Sequence, residues 1–179
     1  MNAQQSLDLK ARIRTIPDFP SPGIQFRDMM PLLADAQGHA QAIAGLIEGL
    51  APGSIDAVAA IEARGFLLAG GVARALGCGL VPVRKPGKLP GFTLGLNYAL
   101  EYGTDRLEIQ QDALKPGDRV LLVDDLIATG GTAEAAARLI GQTGARLEAI
   151  RFLIDLPALG GMTTLKAQGW DCAALIAFD

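Results

Sequence analysis

The chain has a single histidine and two cysteines among its 179 residues. Zinc sites and disulfide frameworks need such residues at close, repeated spacing. Cys78 and Cys172 stand far apart with no Cys-x-x-Cys, so neither is indicated, and both thiols read as small buried hydrophobes. No apolar run approaches the ~18–20 residues that span a bilayer, and the opening MNAQQSLDLKAR lacks the apolar core of a secretory signal. The expected compartment is therefore the cytoplasm, with no membrane partner. A formal net charge of −3 removes the broad basic footprint of a nucleic-acid binder, so no nucleic-acid partner is expected either. There is no internal repeat, no low-complexity tract, and no GxGxxG following a strand to suggest a dinucleotide.

What is present is a 50% hydrophobic chain of a length that suits one domain, residues 1–179, with a real core. Ile43, Leu46, Ile47 and Leu50 recur at helical spacing after Asp35, a candidate cap. Phe66, Ala69, Ala73 and Leu76 mark a second helix that ends at Gly77. Strands are expected at 56–61, 80–83, 120–123, 150–154 and 173–178. This alternation predicts an α/β fold, a mostly parallel sheet flanked by helices, with its ligand beyond the carboxyl ends of the strands. Two regions break the pattern. Residues 1–34 contain Pro17, Pro20, Pro22 and Gly23, and their turn-rich middle could cover a site. Residues 85–105 mix proline and glycine with charge, as a flexible lid does.

The most informative stretch is VLLVDDLIATGGT, residues 120–132. Its continuous apolar run suits a parallel strand covered on both faces. The loop formed by Ala128, Thr129, Gly130, Gly131 and Thr132 opens an Ala-rich helix, whose free amides and positive end suit a phosphate. Without the lysine of a Walker A loop, a triphosphate is not expected. Asp124 and Asp125 can accept from the two hydroxyls of a ribose. Successive strand residues face opposite ways, so both acids can meet one ligand only if the chain leaves strand geometry there. The competing assignment is that Asp125 caps a turn and Asp124 merely ends the strand.

Two further groups fit beside this motif. Glu62-Ala63-Arg64-Gly65 again joins a strand to a helix, and the fork of donors on Arg64 suits a diphosphate. Arg84, Lys85 and Lys88 cluster where the lid begins. They are either a solvated face or cations that neutralise a diphosphate leaving group. Phe26, between Gln25 and Arg27, either pins the N-terminal segment to the core or stacks on a flat base opposite Leu126 or Ile127.

The acidic pair followed by ATGGT resembles the phosphoribosyl-pyrophosphate (PRPP) motif of the type I phosphoribosyltransferases. PDFPSPGIQFRD (17–28), IEARGF (61–66), RKPGKLPG (84–91) and LEYGTDRLEIQ (100–110) resemble, in order, segments of the adenine phosphoribosyltransferases. The resemblance implies the type I phosphoribosyltransferase fold, an N-terminal segment (1–34) that covers the base, and a lid over 85–105. It implies a purine salvage enzyme that transfers the 5-phosphoribosyl group of PRPP to adenine, giving AMP and pyrophosphate. It places the ribose on Asp124 and Asp125 and the 5-phosphate on residues 128–132. Pyrophosphate falls to Arg64, Lys88 and Tyr102 of one subunit and Arg84 of its neighbour, hence a homodimer. Adenine lies between Phe26 and Leu126 and is read by backbone groups near Gln25 and Arg27. Glu101 manages the proton of the purine. Mg²⁺ arrives with PRPP and is held mainly by substrate and water, with no protein cage. The turn at 62–65 is expected to hold a non-proline cis peptide.

Two alternatives stand beside this. A transferase for a 6-oxopurine or pyrimidine would call for a cationic or amide donor where Leu126, Ile127 and Ala128 stand. A non-catalytic PRPP-sensing regulator would call for a DNA-binding element, and neither a helix-turn-helix segment nor a basic stripe is present.

Overall fold

The computed structural model describes residues 3–99 and 103–179. Helix α1 (Ala3–Ala11) leads into a hairpin of β1 (Arg14–Pro17) and β2 (Gln25–Asp28), then α2 (Met30–Ala34) and α3 (Ala36–Leu46). The central run is β3 (Ala57–Ile61), α4 (Gly65–Leu76) and β4 (Gly79–Val83), followed by a second hairpin of β5 (Thr93–Ala99) and β6 (Thr104–Gln110). The chain closes with β7 (Arg119–Ile127), α5 (Gly131–Gln142), β8 (Arg146–Asp155), α6 (Gly161–Ala167) and β9 (Cys172–Ala177). Five strands form one parallel sheet in the order β4-β3-β7-β8-β9, and every strand expected from the sequence falls within it.

The apolar run in β7 explains the layering. Val120 and Leu122 join the core under α5, α6 and the second hairpin, whereas Leu121 and Val123 join the core under α1 to α4. All four are completely buried, each burial contributing roughly 1.5–3 kcal/mol. The helix ends follow their local chemistry. Asp35 accepts a bond from the Gly38 amide at 2.7 Å, capping α3 as expected. Gly77, at φ +72°, closes α4 in the left-handed region. At the far edge Asp56 takes three bonds from Arg119, at 2.7–2.9 Å, and these tie the start of β3 to the start of β7.

The two irregular regions are more ordered than their composition suggests. In the N-terminal region, the turn between β1 and β2 is irregular, with Asp18 at φ 55° and a cis Phe19–Pro20 bond. Its arms pair antiparallel, and buried Asp28 holds them: it accepts from Arg14 at 2.5 and 3.1 Å and from the Met30 amide at 3.0 Å. In the region expected as a lid (85–105), residues 93–99 form a strand that pairs with residues 104–110, which run on beyond that region. Leu94, Leu96 and Tyr98 pack on the core beside buried Leu107 and Ile109, a period of two that marks a strand. His39 lines a groove between α3 and α4, and its Nε2 is buried with no partner among the described residues.

Candidate active site

The chain leaves β3 and β7 in opposite directions across the sheet, so a crevice opens outside their carboxyl ends, where α/β sheets bind ligands. The last β3–β7 pair is Ala60 with Val123, yet β7 runs on beside β8 to Ile127. From Asp124 onward, one side of β7 is therefore open. The crevice there has a volume of about 300 Å³ and is lined by Glu62, Ala63, Arg64, Lys85, Asp124, Asp125, Leu126 and residues 127–133.

This corrects the sequence argument about the acids. The chain does not leave strand geometry at Asp124 and Asp125, since both lie inside β7. They reach one crevice because β7 outruns its neighbour. Asp125 is buried there, only 6% exposed. The Asp125 amide donates to Asp124 Oδ1 at 2.9 Å. Arg64 Nη2 lies 2.8 Å from Asp125 Oδ2, a charge contact without hydrogen-bond alignment, and that oxygen has no donor among the described residues. Burial pushes the Asp124 carboxyl well above the usual carboxylate range, and the charge of Asp125 adds to it. Burial also raises Asp125, with Arg64 opposing. Two desolvated acids that want donors form a site for a diol.

Beyond them the loop is fastened by its carbonyls. Ile127, Ala128 and Gly130 accept from the amides of Leu156 (3.1 Å), Gly161 (3.0 Å) and Glu134 (2.9 Å). The amides of Thr129 and Gly130 make no bond among the described residues. Gly130 sits at φ +89° as the N-cap of α5, a conformation that favours glycine. Residues 128–132 thus present backbone donors at a helix N-terminus, as expected for a phosphate.

On the opposite wall, the Glu62–Ala63 peptide is cis, as the resemblance implied. Gly65 has no room for a side chain: a Cβ there would stand 2.8 Å from Asp124 Oδ1. The start of α4 therefore rests directly on the acidic strand. Arg84 Nε donates to Glu62 Oε2 at 2.7 Å and its Nη1 to the Lys88 carbonyl at 3.0 Å. Neither Arg84 nor Lys88 lines the crevice. Lys85 does, paired with Asp105 and 3.3 Å from the Tyr98 hydroxyl.

Of the residues expected to meet the base, Leu126 lines the crevice. Phe26 borders it through Arg64, whose guanidinium carbon stands 4.9 Å from the Phe26 ring centre. Gln25 is exposed and pairs with Pro17 at the end of the first hairpin. The Arg27 side chain turns away, to Thr15 Oγ1 at 2.5 Å and over the Phe178 ring at 4.4 Å, so only its backbone could meet a ligand. Glu101 and Tyr102 lie outside the described residues.

Lys85 belongs to the basic cluster and Gly65 to the turn after β3 that the sequence marks, but which member of the cluster lines the crevice, and that Gly161 backs the loop at 128–132, emerge only from the packing. Alternation along β4 and its extension decides which member of the 84–88 cluster faces inward, and that depends on the register with β6, where Arg84 bridges Glu108. A Cβ on Gly161 would stand 2.3 Å from the Ala128 carbonyl oxygen. That contact comes from 33 positions further along the chain, and nothing local announces it.

The chain matches the model of the phosphoribosyl transferase domain over residues 32–157. It is similar to the adenine phosphoribosyltransferase of Bradyrhizobium sp. (strain ORS 278), at 56% identity over 173 residues and 97% of each chain. Among solved structures it resembles the adenine phosphoribosyltransferase of Rhodothermus marinus, with a TM-score of 0.93, 47% identity, and coverage of 99% and 100% of the two chains. The Saccharomyces cerevisiae enzyme, solved with an imino-altritol bisphosphate and adenine, gives a TM-score of 0.87 at 37% identity, covering 97% and 99%.

Proposed function

Because the chain belongs to the adenine phosphoribosyltransferase family, we propose that the crevice between β3 and β7 is where it binds PRPP and adenine. The enzyme acts in purine salvage, transferring the 5-phosphoribosyl group of PRPP to adenine to give AMP and pyrophosphate. One observation carries the site assignment: the acid pair and the free loop amides share one crevice with Arg64. Oxygen acceptors for hydroxyls, N–H donors for a phosphate and a cation for a diphosphate match the three parts of PRPP.

In this reading the 5-phosphate lies on the amides of Ala128, Thr129, Gly130, Gly131 and Thr132, and Asp124 and Asp125 accept from the ribose hydroxyls. Arg64, Lys88 and Tyr102 hold the pyrophosphate, with Arg84 serving the neighbouring subunit of a homodimer. Adenine stacks between Phe26 and Leu126, and backbone groups near Gln25 and Arg27 read its edge, residues 1–34 forming the cover. The bond from ribose C1 to pyrophosphate breaks as the bond to the purine nitrogen forms, and Glu101, on a lid spanning 85–105, takes up the purine proton. Asp124, Asp125 and Glu62, which line the crevice, carry hard oxygen donors compatible with Mg²⁺. Among the described residues no three acidic, histidine or cysteine side chains gather to cage an ion. In this reading Mg²⁺ travels with PRPP, held mainly by substrate and water, and would supply charge neutralisation at the leaving group.

No helix among the described residues is long and apolar enough to cross a membrane, and we place the enzyme in the cytoplasm. The test is to mix the protein with PRPP and Mg²⁺ against adenine, hypoxanthine, guanine and uracil. Stoichiometric AMP and pyrophosphate with adenine alone support the reading. Equal turnover of a 6-oxopurine would contradict the adenine site.

A further inference from the structure

The Tyr98 hydroxyl lies within hydrogen-bonding reach of three groups at once. Lys85 Nζ is at 3.3 Å, Asp105 Oδ2 at 3.2 Å and Thr132 Oγ1 at 3.3 Å. Lys85 and Asp105 are themselves paired. Tyr98 belongs to β5 and Asp105 to β6, while Thr132 is in the first turn of α5, on the loop that faces the crevice. This phenol therefore joins the second hairpin to the phosphate loop.

The protons decide what the junction can do. A phenol has one proton and two lone pairs, an ionised carboxylate only accepts, and an ammonium only donates. Lys85 occupies one lone pair of Tyr98. The phenolic proton has two possible acceptors, Asp105 and Thr132, and the charged one is preferred. Thr132 must then donate its own hydroxyl proton to Tyr98. A phosphate at the start of α5 accepts only, and needs that same proton. Once Thr132 turns its proton to the phosphate, its oxygen can accept the proton of Tyr98, and Asp105 is left to Lys85.

We propose that Tyr98 is a positioning residue that hands its single proton from Asp105 to Thr132 when a 5-phosphate occupies the loop, coupling occupancy of the loop to the β5–β6 hairpin. This rests on the assignment of residues 128–132 to the 5-phosphate. No covalent bond changes; two hydroxyl groups rotate. The relay strengthens the phosphate contact through a polarised chain of hydrogen bonds and senses the phosphate, not the base.

The experiment is a double-mutant cycle read by calorimetry, with AMP and adenosine as probes, since they differ only in the phosphate. Tyr98→Phe is expected to weaken AMP about three- to tenfold, the worth of one net hydrogen bond, and to leave adenosine within about twofold. Thr132→Val should weaken AMP on its own, and adding Tyr98→Phe to it should cost nothing more. Thr132→Ser, which keeps the hydroxyl, should restore the sensitivity to Tyr98→Phe. If Tyr98→Phe weakens AMP equally with or without a hydroxyl at 132, or weakens adenosine as much as AMP, the relay is overturned. If Thr132→Val leaves AMP as tight as in the parent chain, the relay is overturned; if the parent chain binds AMP no more tightly than adenosine, the phosphate assignment falls as well, a result distinct from failure of the relay alone.

Discussion

Arg64 and Asp125 meet at 2.8 Å across the crevice, cation and carboxylate both drawn from the ends of neighbouring strands. The same guanidinium stands over Phe26, so it touches the acidic end of β7 and the first hairpin together. Removing it leaves buried Asp125 without its counter-charge, at a cost below the about 3–5 kcal/mol of fully buried pairs, since Arg64 itself is partly exposed. Arg64→Ala is therefore expected to lose both PRPP binding and thermal stability. Arg64→Lys should recover more of the stability than of the binding, because an ammonium lacks the fork that a diphosphate uses. Melting curves and PRPP titrations of the two variants check this.

Asp124 sets stability against function. Its carboxyl pKa is raised in the folded chain, first by burial and then by the charge of Asp125. The folded state thus holds the proton longer than the unfolded state, and the stability of the free enzyme declines as pH rises through the interval above the ordinary carboxylate value. Asp124→Asn should flatten that slope and raise the melting temperature at neutral pH by about 2–4 °C, equivalent to about 1 kcal/mol. It should also lower kcat/KM for PRPP by roughly 10–150-fold, the worth of a charge-assisted bond. A variant that is neither more stable nor less active would contradict the assignment.

Gly161 supports the loop at 128–132 from behind. Because a Cβ there would overlap the Ala128 carbonyl and crowd the Gly130 amide, Gly161→Ala must displace the loop at a cost of about 1–3 kcal/mol. Affinity for AMP should fall by roughly 5–100-fold while affinity for free adenine is kept, as read by calorimetry with both ligands.

Glu101→Gln keeps the size of the side chain and removes its basicity. Turnover is expected to fall by roughly 10²–10⁴-fold with PRPP affinity nearly unchanged. Near-normal single-turnover rates at saturating substrates would leave Glu101 no part in proton transfer.

Arg84 is held within its own chain by Glu62 and the Lys88 carbonyl, yet the proposal assigns it to the partner's pyrophosphate. Mixed dimers of an Arg84→Ala chain and an Asp124→Ala chain should regain part of the lost activity. No rescue in mixed dimers verified by mass would show that the sites are not shared.

Much of the fold was legible because its signals are local. The apolar run at 120–123, the cap at Asp35 and the stop at Gly77 each depend on residues within one turn or strand. The second hairpin escaped because glycine, proline and charge outweighed the alternation of Leu94, Leu96 and Tyr98 with Leu107 and Ile109. The sequence marked the acid pair as a candidate site, but not the geometry that brings both acids to one crevice. That β7 outlasts β3 is a property of two strands whose last pair, Ala60 with Val123, is 63 positions apart, and that Lys85 faces inward depends on where β4 meets β6. Such facts lie in the packing rather than in any segment.

The most direct measurement is a crystal structure of the enzyme with AMP. The phosphate is expected within hydrogen-bonding distance of the amides of residues 128–132, with the ribose hydroxyls on Asp124 and Asp125. A phosphate on the Arg84–Lys88 cluster, with the loop unoccupied and both acids free of the ribose, would contradict the account.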